Sequence, residues 1–432
     1  MGRRVLLGGL LVAALWLTGC DLFGPDGEPV VLELSPTRGI VGSQVIVVGE
    51  GFGATQGTGA VTFDDVPAPV LSWSDRIVTA TVPIVATPNG EPAAATVTVT
   101  ADGGTVGRGE FTVVRGILFE SERAGGHDIW MLDPDAASLI RLTDDPGTEA
   151  WPCWSHDGTQ IAFNRGAAIW IMGADGSNQR ALTTGGVPAF YPVWSPDDEK
   201  IAYTAGEASE VRVVDADGSG TTLLTTDFGL HGWTTWSPDG ARIAFHADRN
   251  VIPGDLETIG DDPDIFTVNA NGTAEQQLTT APGRDWFPEW SPDGSKILFL
   301  SDRDGPGEIF SMNPDGTGQT NLTSNPAADG WPAWSPDGSR IAFQSYRDGN
   351  AEIYVMNADG SSLSRLTVNA AFDGGPSWSP DGSRIAFESD RDGDFEIYVM
   401  NADGSEQTQL TTDAALDGFP VWTASRWIPI RP

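Results

Sequence analysis

Thiols are almost missing from this sequence: of 432 residues only Cys20 and Cys153 are cysteine. Lysine is as scarce, with Lys200 and Lys296 alone, and the chain carries 24 Lys+Arg against 60 Asp+Glu, a formal net charge of −36. Such a surface repels phosphate backbones, which excludes nucleic acid as a partner, while it attracts cations and basic proteins. Part of this excess has a plainer origin, because aspartate is a turn residue and the chain is rich in turns. Histidine is limited to His127, His156, His231 and His246, which leaves few groups for acid–base chemistry or transition-metal ligation. Neither a Gly-x-Ser-x-Gly nucleophile elbow nor a His-Glu-x-x-His helix is present. The expectation is a non-enzyme, without a catalytic residue.

One apolar run stands out, from Val5 to Leu17, preceded by Arg3 and Arg4. It is too short for a mature membrane span and has the flanks of a secretory signal. It ends in Leu17-Thr18-Gly19-Cys20, which resembles the bacterial lipobox. That resemblance implies a signal peptide over residues 1–19 and a lipid on Cys20, followed by a tether over 20–28. The protein would then sit in the cell envelope, periplasmic or at the cell surface, touching a membrane through its lipid anchor only. With Cys20 acylated no disulfide can form, and Cys153, beside Trp154, is expected to be a small buried hydrophobe.

Residues 29–114 alternate short β-branched runs with Gly, Pro and Asn, as in Val45-Ile46-Val47-Val48, Ile77-Val78-Thr79-Ala80 and Thr96-Val97-Thr98-Val99. This pattern predicts an all-β sandwich. Ser35-Pro36-Thr37-Arg38-Gly39, Val47-Val48-Gly49-Glu50-Gly51-Phe52 and Trp73-Ser74-Asp75 resemble the immunoglobulin-like IPT/TIG family. The resemblance implies a spacer or interaction module.

The remainder, 115–432, is a repeat. Trp-Ser-Pro-Asp-Gly stands at Trp236, Trp290, Trp334 and Trp378, with variants at Trp154 and Trp194 and a degenerate copy at Trp422. Each unit holds four strand-like pieces joined by Asp-Gly turns. In the last full unit these are Gly375–Trp378, Arg384–Phe387, Glu396–Met400 and Gln409–Thr411. The third piece is apolar at consecutive positions, so both of its faces must be covered, and one small sheet cannot do that alone. Sheets packed around an axis can. Residues 117–143 match strands two to four of a unit, and Phe419-Pro420-Val421-Trp422 supplies the missing first strand. The predicted fold is therefore an all-β, seven-bladed propeller closed by its two ends, with six blades as the alternative. Trp-Ser-Pro-Asp-Gly-Ser-Arg-Ile-Ala-Phe, Ser-Asp-Arg-Asp-Gly and Glu-Ile-Tyr-Val-Met-Asn-Ala-Asp-Gly resemble the TolB-like propeller repeat. The lipobox, the sandwich and the seventh unit depart from TolB itself.

Five residues before each repeat tryptophan stand Glu149, Ala189, His231, Asp285, Asp329, Asp373 and Asp417. The repeat places them on the connection entering the innermost strand, near the axial opening. They are candidate rim-binding residues: an acidic funnel for a basic peptide or envelope protein, or for Ca²⁺ held by Asp285, Asp329, Asp373 and Asp417. The competing reading is that each carboxylate fixes its own loop. The unit at Trp236 differs most, with His246, Asp248 and an insertion bearing Asp255, Glu257, Asp261, Asp262 and Asp264. Trp286, Trp331 and Phe372 at the same rim allow glycan binding. The expected function is a monomeric, non-catalytic binding scaffold; the alternative is a polysaccharide-binding protein or a Ca²⁺-assisted polysaccharide lyase.

Overall fold

A computed structural model describes residues 31–87, 92–101, 104–135, 138–206, 210–225, 230–249 and 262–422. The signal segment, Cys20, the tether and most of the insertion after Arg249 lie outside the described residues. Among the described residues every regular element is a β-strand.

The N-terminal unit packs two sheets face to face. One has the order Val31–Ser35, Gln44–Gly49, Ile77–Thr81 and Val70–Trp73; the other has Arg38–Ile40, Gly104–Val114, Ala93–Ala101, Ala60–Phe63 and Val66–Ala68. Alternation puts Val45, Val47, Val61, Phe63, Val97 and Val99 inside, fully shielded from water. Phe63 meets Phe111 edge-on at 5.3 Å between ring centroids.

Among the described residues seven four-stranded sheets follow, each called a blade here. Blade one runs Glu149–Trp154, Gln160–Arg165, Ala168–Gly173 and Arg180–Ala181. Blades two to six repeat that order from first strands Ala189–Trp194, Leu230–Trp236, Asp285–Trp290, Asp329–Trp334 and Asp373–Trp378. The closing blade takes Ile117–Ser121, Asp128–Leu132 and Leu139–Arg141 from the start of the repeats and Asp417–Val421 from their end. The terminal strand pairs antiparallel with Ile117–Ser121, Leu118 opposite Val421 and Ser121 opposite Asp417.

Consecutive apolar residues on strands two and three are explained by burial on both faces. Ile297–Ser301 and Glu308–Met312 are buried at every position. Aromatic pairs repeat within blades: Phe245–Phe266, Phe299–Phe310, Phe343–Tyr354 and Phe387–Tyr398 lie 5.4–5.8 Å apart. The repeat tryptophan stitches neighbouring blades. Trp194, Trp236 and Trp378 donate their indole N–H to the carbonyls of Cys153, Val193 and Ala333 in the preceding blade. Arginines of a neighbouring blade cover the ring, Arg340 over Trp378 at 4.7 Å and Arg384 over Trp422 at 5.0 Å. The Ser-Pro-Asp-Gly that follows is a self-contained turn, in which Ser335 Oγ donates to Asp337 (2.6 Å) and accepts the Arg340 N–H (2.9 Å). Cys153 is fully buried in the core between blades one and two.

The sandwich is docked on the propeller instead of hanging from it. Leu34 and Phe52 belong to the same apolar cluster as Leu118, Met131 and Trp154 of the closing blade and blade one. The junction residue Arg115 is 4 % exposed and donates to the carbonyls of Thr87 and His156, both at 2.9 Å, while lying 5.4 Å over Trp154. Burial pulls its pKa down to about 10. Thr87 N–H donates to Asp157 (2.7 Å), and Arg38 pairs with Asp135 at 2.8 Å. These contacts fall on the Asp-Gly turns, so the sandwich sits against that rim (the turn rim), away from the opposite one (the open rim). Removing a hydrogen-bonding charged group from such a site costs on the order of 2–3 kcal/mol. Arg115→Ala is therefore expected to split one melting transition into two as the domains uncouple, read by differential scanning calorimetry; an unchanged single transition would show that the docking does not depend on Arg115.

Candidate functional site

The open rim carries the residues singled out five positions before each repeat tryptophan. Each is the first or second residue of a blade's innermost strand. Glu149, Asp285, Asp329, Asp373 and Asp417 are at most 3 % exposed, so a charge there needs a partner. An arginine of the same blade supplies it in every case. Arg165 reaches Glu149 at 2.9 Å, Arg347 reaches Asp329 at 3.0 Å and Arg391 reaches Asp373 at 2.9 Å. Arg303 bonds Asp285, and Arg123 bonds Asp417.

These arginines are fixed twice more. Arg123, Arg303, Arg347 and Arg391 donate through Nε to Ser121, Ser301, Ser345 and Ser389 at 2.8–2.9 Å. Their guanidinium groups lie over the paired rings of strands two and three, Arg391 4.4 Å from Tyr398. The Ser-Asp-Arg-Asp-Gly loop is thus the arginine half of an ion pair whose acid comes from another column of the repeat. Blade two tests the logic within the chain: Ala189 stands in the acid's place, and the corresponding Gly206-Glu207-Ala208-Ser209 holds no arginine. In blade three His231 pairs with Ala247 by strand register, its side chain lying outside the described residues, and Arg249 turns to Glu275.

The four aspartates considered for Ca²⁺ therefore sit in four separate blades, each against its own arginine. Among the described residues no group of three or more His, Cys, Asp and Glu side chains is gathered closely enough to hold a metal ion. Asp255, Glu257 and Asp261 of the insertion lie outside the described residues.

A second row of acids sits at the seams. Asp264, Glu308 and Glu396 begin third strands and face the first-strand acid of the next blade. Burial, opposed by a threonine hydroxyl and reinforced by Asp285, pushes Asp264 up to about 6. Burial pushes Glu308 up as well, with Asp329 adding to it. At the closing seam Glu396 and Asp417 are both fully buried. Burial, with Asp417 beside it, pushes Glu396 up to about 8, and Asp417 rises mainly from burial too. Folded Glu396 thus holds a proton that the unfolded chain releases near its ordinary value. The stabilisation this provides is present at low pH and declines as pH rises toward about 8. Glu396→Gln, which keeps a donor for Asp417, should melt close to the parent at pH 5 and above it at pH 8.5. Parallel pH profiles of melting temperature would contradict this.

Deeper along the axis lies a feature that sequence reasoning missed. Three residues before each repeat tryptophan stand Trp151, Tyr191, Trp233, Phe287, Trp331, Gly375 and Phe419, and all seven have φ between 43° and 59°. In blades one to six each marks a β-bulge, seen as a register shift against strand two. Left-handed backbone is unfavourable for an aromatic residue by about 1–2 kcal/mol. Glycine, as in blade six, satisfies the bulge without strain. Six aromatic side chains are therefore retained at a place where the backbone does not ask for them. Polar groups of the preceding blade's second strand receive the bulge N–H groups: Glu120 from Trp151 (2.6 Å), Asn164 from Tyr191 (3.0 Å), His246 from Phe287 (3.5 Å) and Glu388 from Phe419 (3.1 Å).

Four of these aromatics form a continuous wall across four blades. Trp151 meets Tyr191 at 4.5 Å, Tyr191 meets Trp233 at 4.6 Å and Trp233 meets Phe287 at 4.8 Å, with rings tilted 31–77°. All seven bulge residues are partly solvent-exposed. Of the aromatics named for the rim, Trp331 belongs to this ring, Trp286 lies under Arg284 at 5.3 Å, and Phe372 packs edge-on against Phe395. The signal was available, because the aromatic column recurs at fixed spacing. What it lacked was a reason, which is the bulge.

Family models match both parts of the chain. The TolB beta propeller domain model matches residues 114–251, 167–330 and 316–426, and the IPT/TIG domain model matches 29–113. A cyclomaltodextrin glucanotransferase of Geobacillus stearothermophilus is 37% identical over 79 residues, 18% of this chain and 10% of that enzyme. The chain thus spans about a tenth of that relative's length. Among solved structures, TolB from Acinetobacter baumannii aligns over 69% of this chain and 79% of its own at 20% identity and TM-score 0.47. An oligogalacturonate lyase from Vibrio parahaemolyticus aligns over 67% and 86% at 15% identity and TM-score 0.55. With family models covering almost all of the described repeats and the whole sandwich, this chain belongs to the TolB beta propeller domain family and carries an IPT/TIG domain ahead of its propeller.

Proposed function

We propose that the protein is a non-catalytic, monomeric scaffold of the cell envelope, held at a membrane by a lipid on Cys20, and that it binds a protein partner through the open rim of its propeller. The observation that carries this reading is the division of the two rims. The sandwich occupies the turn rim through Arg115, Thr87 and Arg38, while the opposite axial mouth carries six strained aromatics. Strain retained at a partly exposed place is a marker of use. The acidic surface favours a basic partner and raises its rate of encounter.

Photo-crosslinking in intact cells tests the assignment. A photoreactive residue at Asp304 or Asp348, exposed on the open rim, should give discrete adducts, while one at Asp337 or Asp381 on the turn rim should not. Adducts from the turn rim alone, or equally from both, would reject it.

A second reading is carried by the likeness in fold to the oligogalacturonate lyase, namely binding or cleavage of an acidic polysaccharide, with Ca²⁺ offsetting the charge. Unsaturated product formed from polygalacturonate in the presence of Ca²⁺ would establish it. The net charge of −36 disfavours a polyanionic substrate.

A further inference from the structure

We propose that the axial mouth recognises a cationic side chain, an arginine or lysine of the partner, seated on the aromatic wall and entering through the gap at Gly375. The inference rests on the open rim being the partner face and adds the chemistry of recognition.

Three observations point the same way. Trp151, Tyr191, Trp233 and Phe287 present a continuous tilted set of rings, the arrangement that attracts a cation by its quadrupoles. Opposite them the ring is interrupted, since blade six has Gly374-Gly375 where the others place an aromatic. A Cβ at Gly375 would lie 3.8 Å from Glu388 Cγ and 3.9 Å from Cδ, so the gap opens beside a carboxylate that is only 4 % exposed. Glu120, 2 % exposed, flanks the wall at Trp151. A ligand in this mouth thus meets π faces on one side and acid on the other. A neutral sugar would stack on the rings and donate hydroxyl hydrogen bonds to the acids; a basic side chain adds attraction between full charges, the difference the citrulline peptide reads.

Gly375→Trp is the decisive variant. The backbone there already has φ +58°, the value at which Trp331 sits at +56° in the neighbouring blade, so tryptophan completes the ring in a conformation the fold supports elsewhere. Glu388→Gln removes the charge and keeps an acceptor for the Phe419 N–H. The probes are acetyl-Gly-Arg-Gly-amide and its citrulline counterpart, which has nearly the same shape without the charge, titrated into the full-length protein by calorimetry. The arginine peptide should bind about tenfold more tightly than the citrulline peptide, and each variant should weaken arginine binding by about tenfold or more. Circular dichroism melts of both variants check folding; if Gly375→Trp fails to fold, Glu388→Gln decides alone. Equal affinity for the two peptides, binding indifferent to the folded variants, or no binding of the arginine peptide overturns the inference. If the Asp304 and Asp348 adducts survive that result, the scaffold reading stands and only the recognition chemistry falls.

Discussion

Replacing Arg303 with alanine is expected to destabilise the propeller by about 3–5 kcal/mol, read as a lower denaturant midpoint at unchanged slope. The magnitude follows from what remains. Asp285 is fully buried, and Arg303 is the cation that faces it. Arg303 also covers Phe310 at 5.0 Å and bonds Ser301, so packing is lost with the charge. Changing Asp285 and Arg303 to alanine together should cost less than Arg303→Ala alone, because no buried charge is then stranded. Blade two, with Ala189 and no arginine in residues 206–209, has made that double change already. If Asp285 instead served chiefly to hold a cation, freeing it from Arg303 would leave stability nearly unchanged and raise Ca²⁺ affinity.

This pair also measures how far the sequence could be read. The acid column was visible, because Asp285, Asp329, Asp373 and Asp417 recur at one offset. Its neutraliser was visible too, in Ser-Asp-Arg-Asp-Gly, but the two motifs lie 18 residues apart and only strand register joins them, Asp285 opposite Ser301. A column of acids without that register looks like an open funnel. The repeat itself was legible for the opposite reason: its turns close within five residues, as Ser335, Asp337 and Arg340 do. The sheet assembled from both ends of the repeat array was legible as well, since Phe119, Trp130 and Leu142 match strands two to four and Val421 supplies the first.

Docking of the sandwich was hidden. Arg115 stands at the junction, where a sequence reading sees only a boundary between domains, and its partners are the carbonyls of Thr87 and His156, which side-chain identity cannot reveal. The bulge aromatics were hidden by their type. Aromatic residues in strands are expected to pack, and nothing in Trp233 or Phe287 announces a positive φ. Only the presence of glycine at 375, in a column otherwise aromatic, hinted that the backbone there is unusual.

The second large effect concerns closure. The terminal strand Asp417–Val421 completes the closing blade, brings Asp417 to Arg123, and delivers Trp422, 2 % exposed, into the cluster of Ile117, Ala386 and Val399. Trp422 is fixed further by its N–H to Ser377 Oγ at 3.1 Å and by Arg384 over its ring. Losing a buried tryptophan alone costs about 3–5 kcal/mol. Removing the strand also strips the backbone ladder from Leu118 and Glu120 and uncovers the faces of blade six and the closing blade. The sum approaches the whole stability of an ordinary domain, about 5–15 kcal/mol. Because each blade is shielded by its neighbours, opening one seam is expected to weaken the entire ring, where an open solenoid would only fray at its end.

Differential scanning calorimetry of a chain ending at Leu416, set beside the full-length protein, tests that most directly. The sharp propeller transition is expected to be lost or moved down by tens of degrees, on the order of what such a deficit implies. A truncated chain that melts at the parental temperature, with the parental enthalpy, would contradict it.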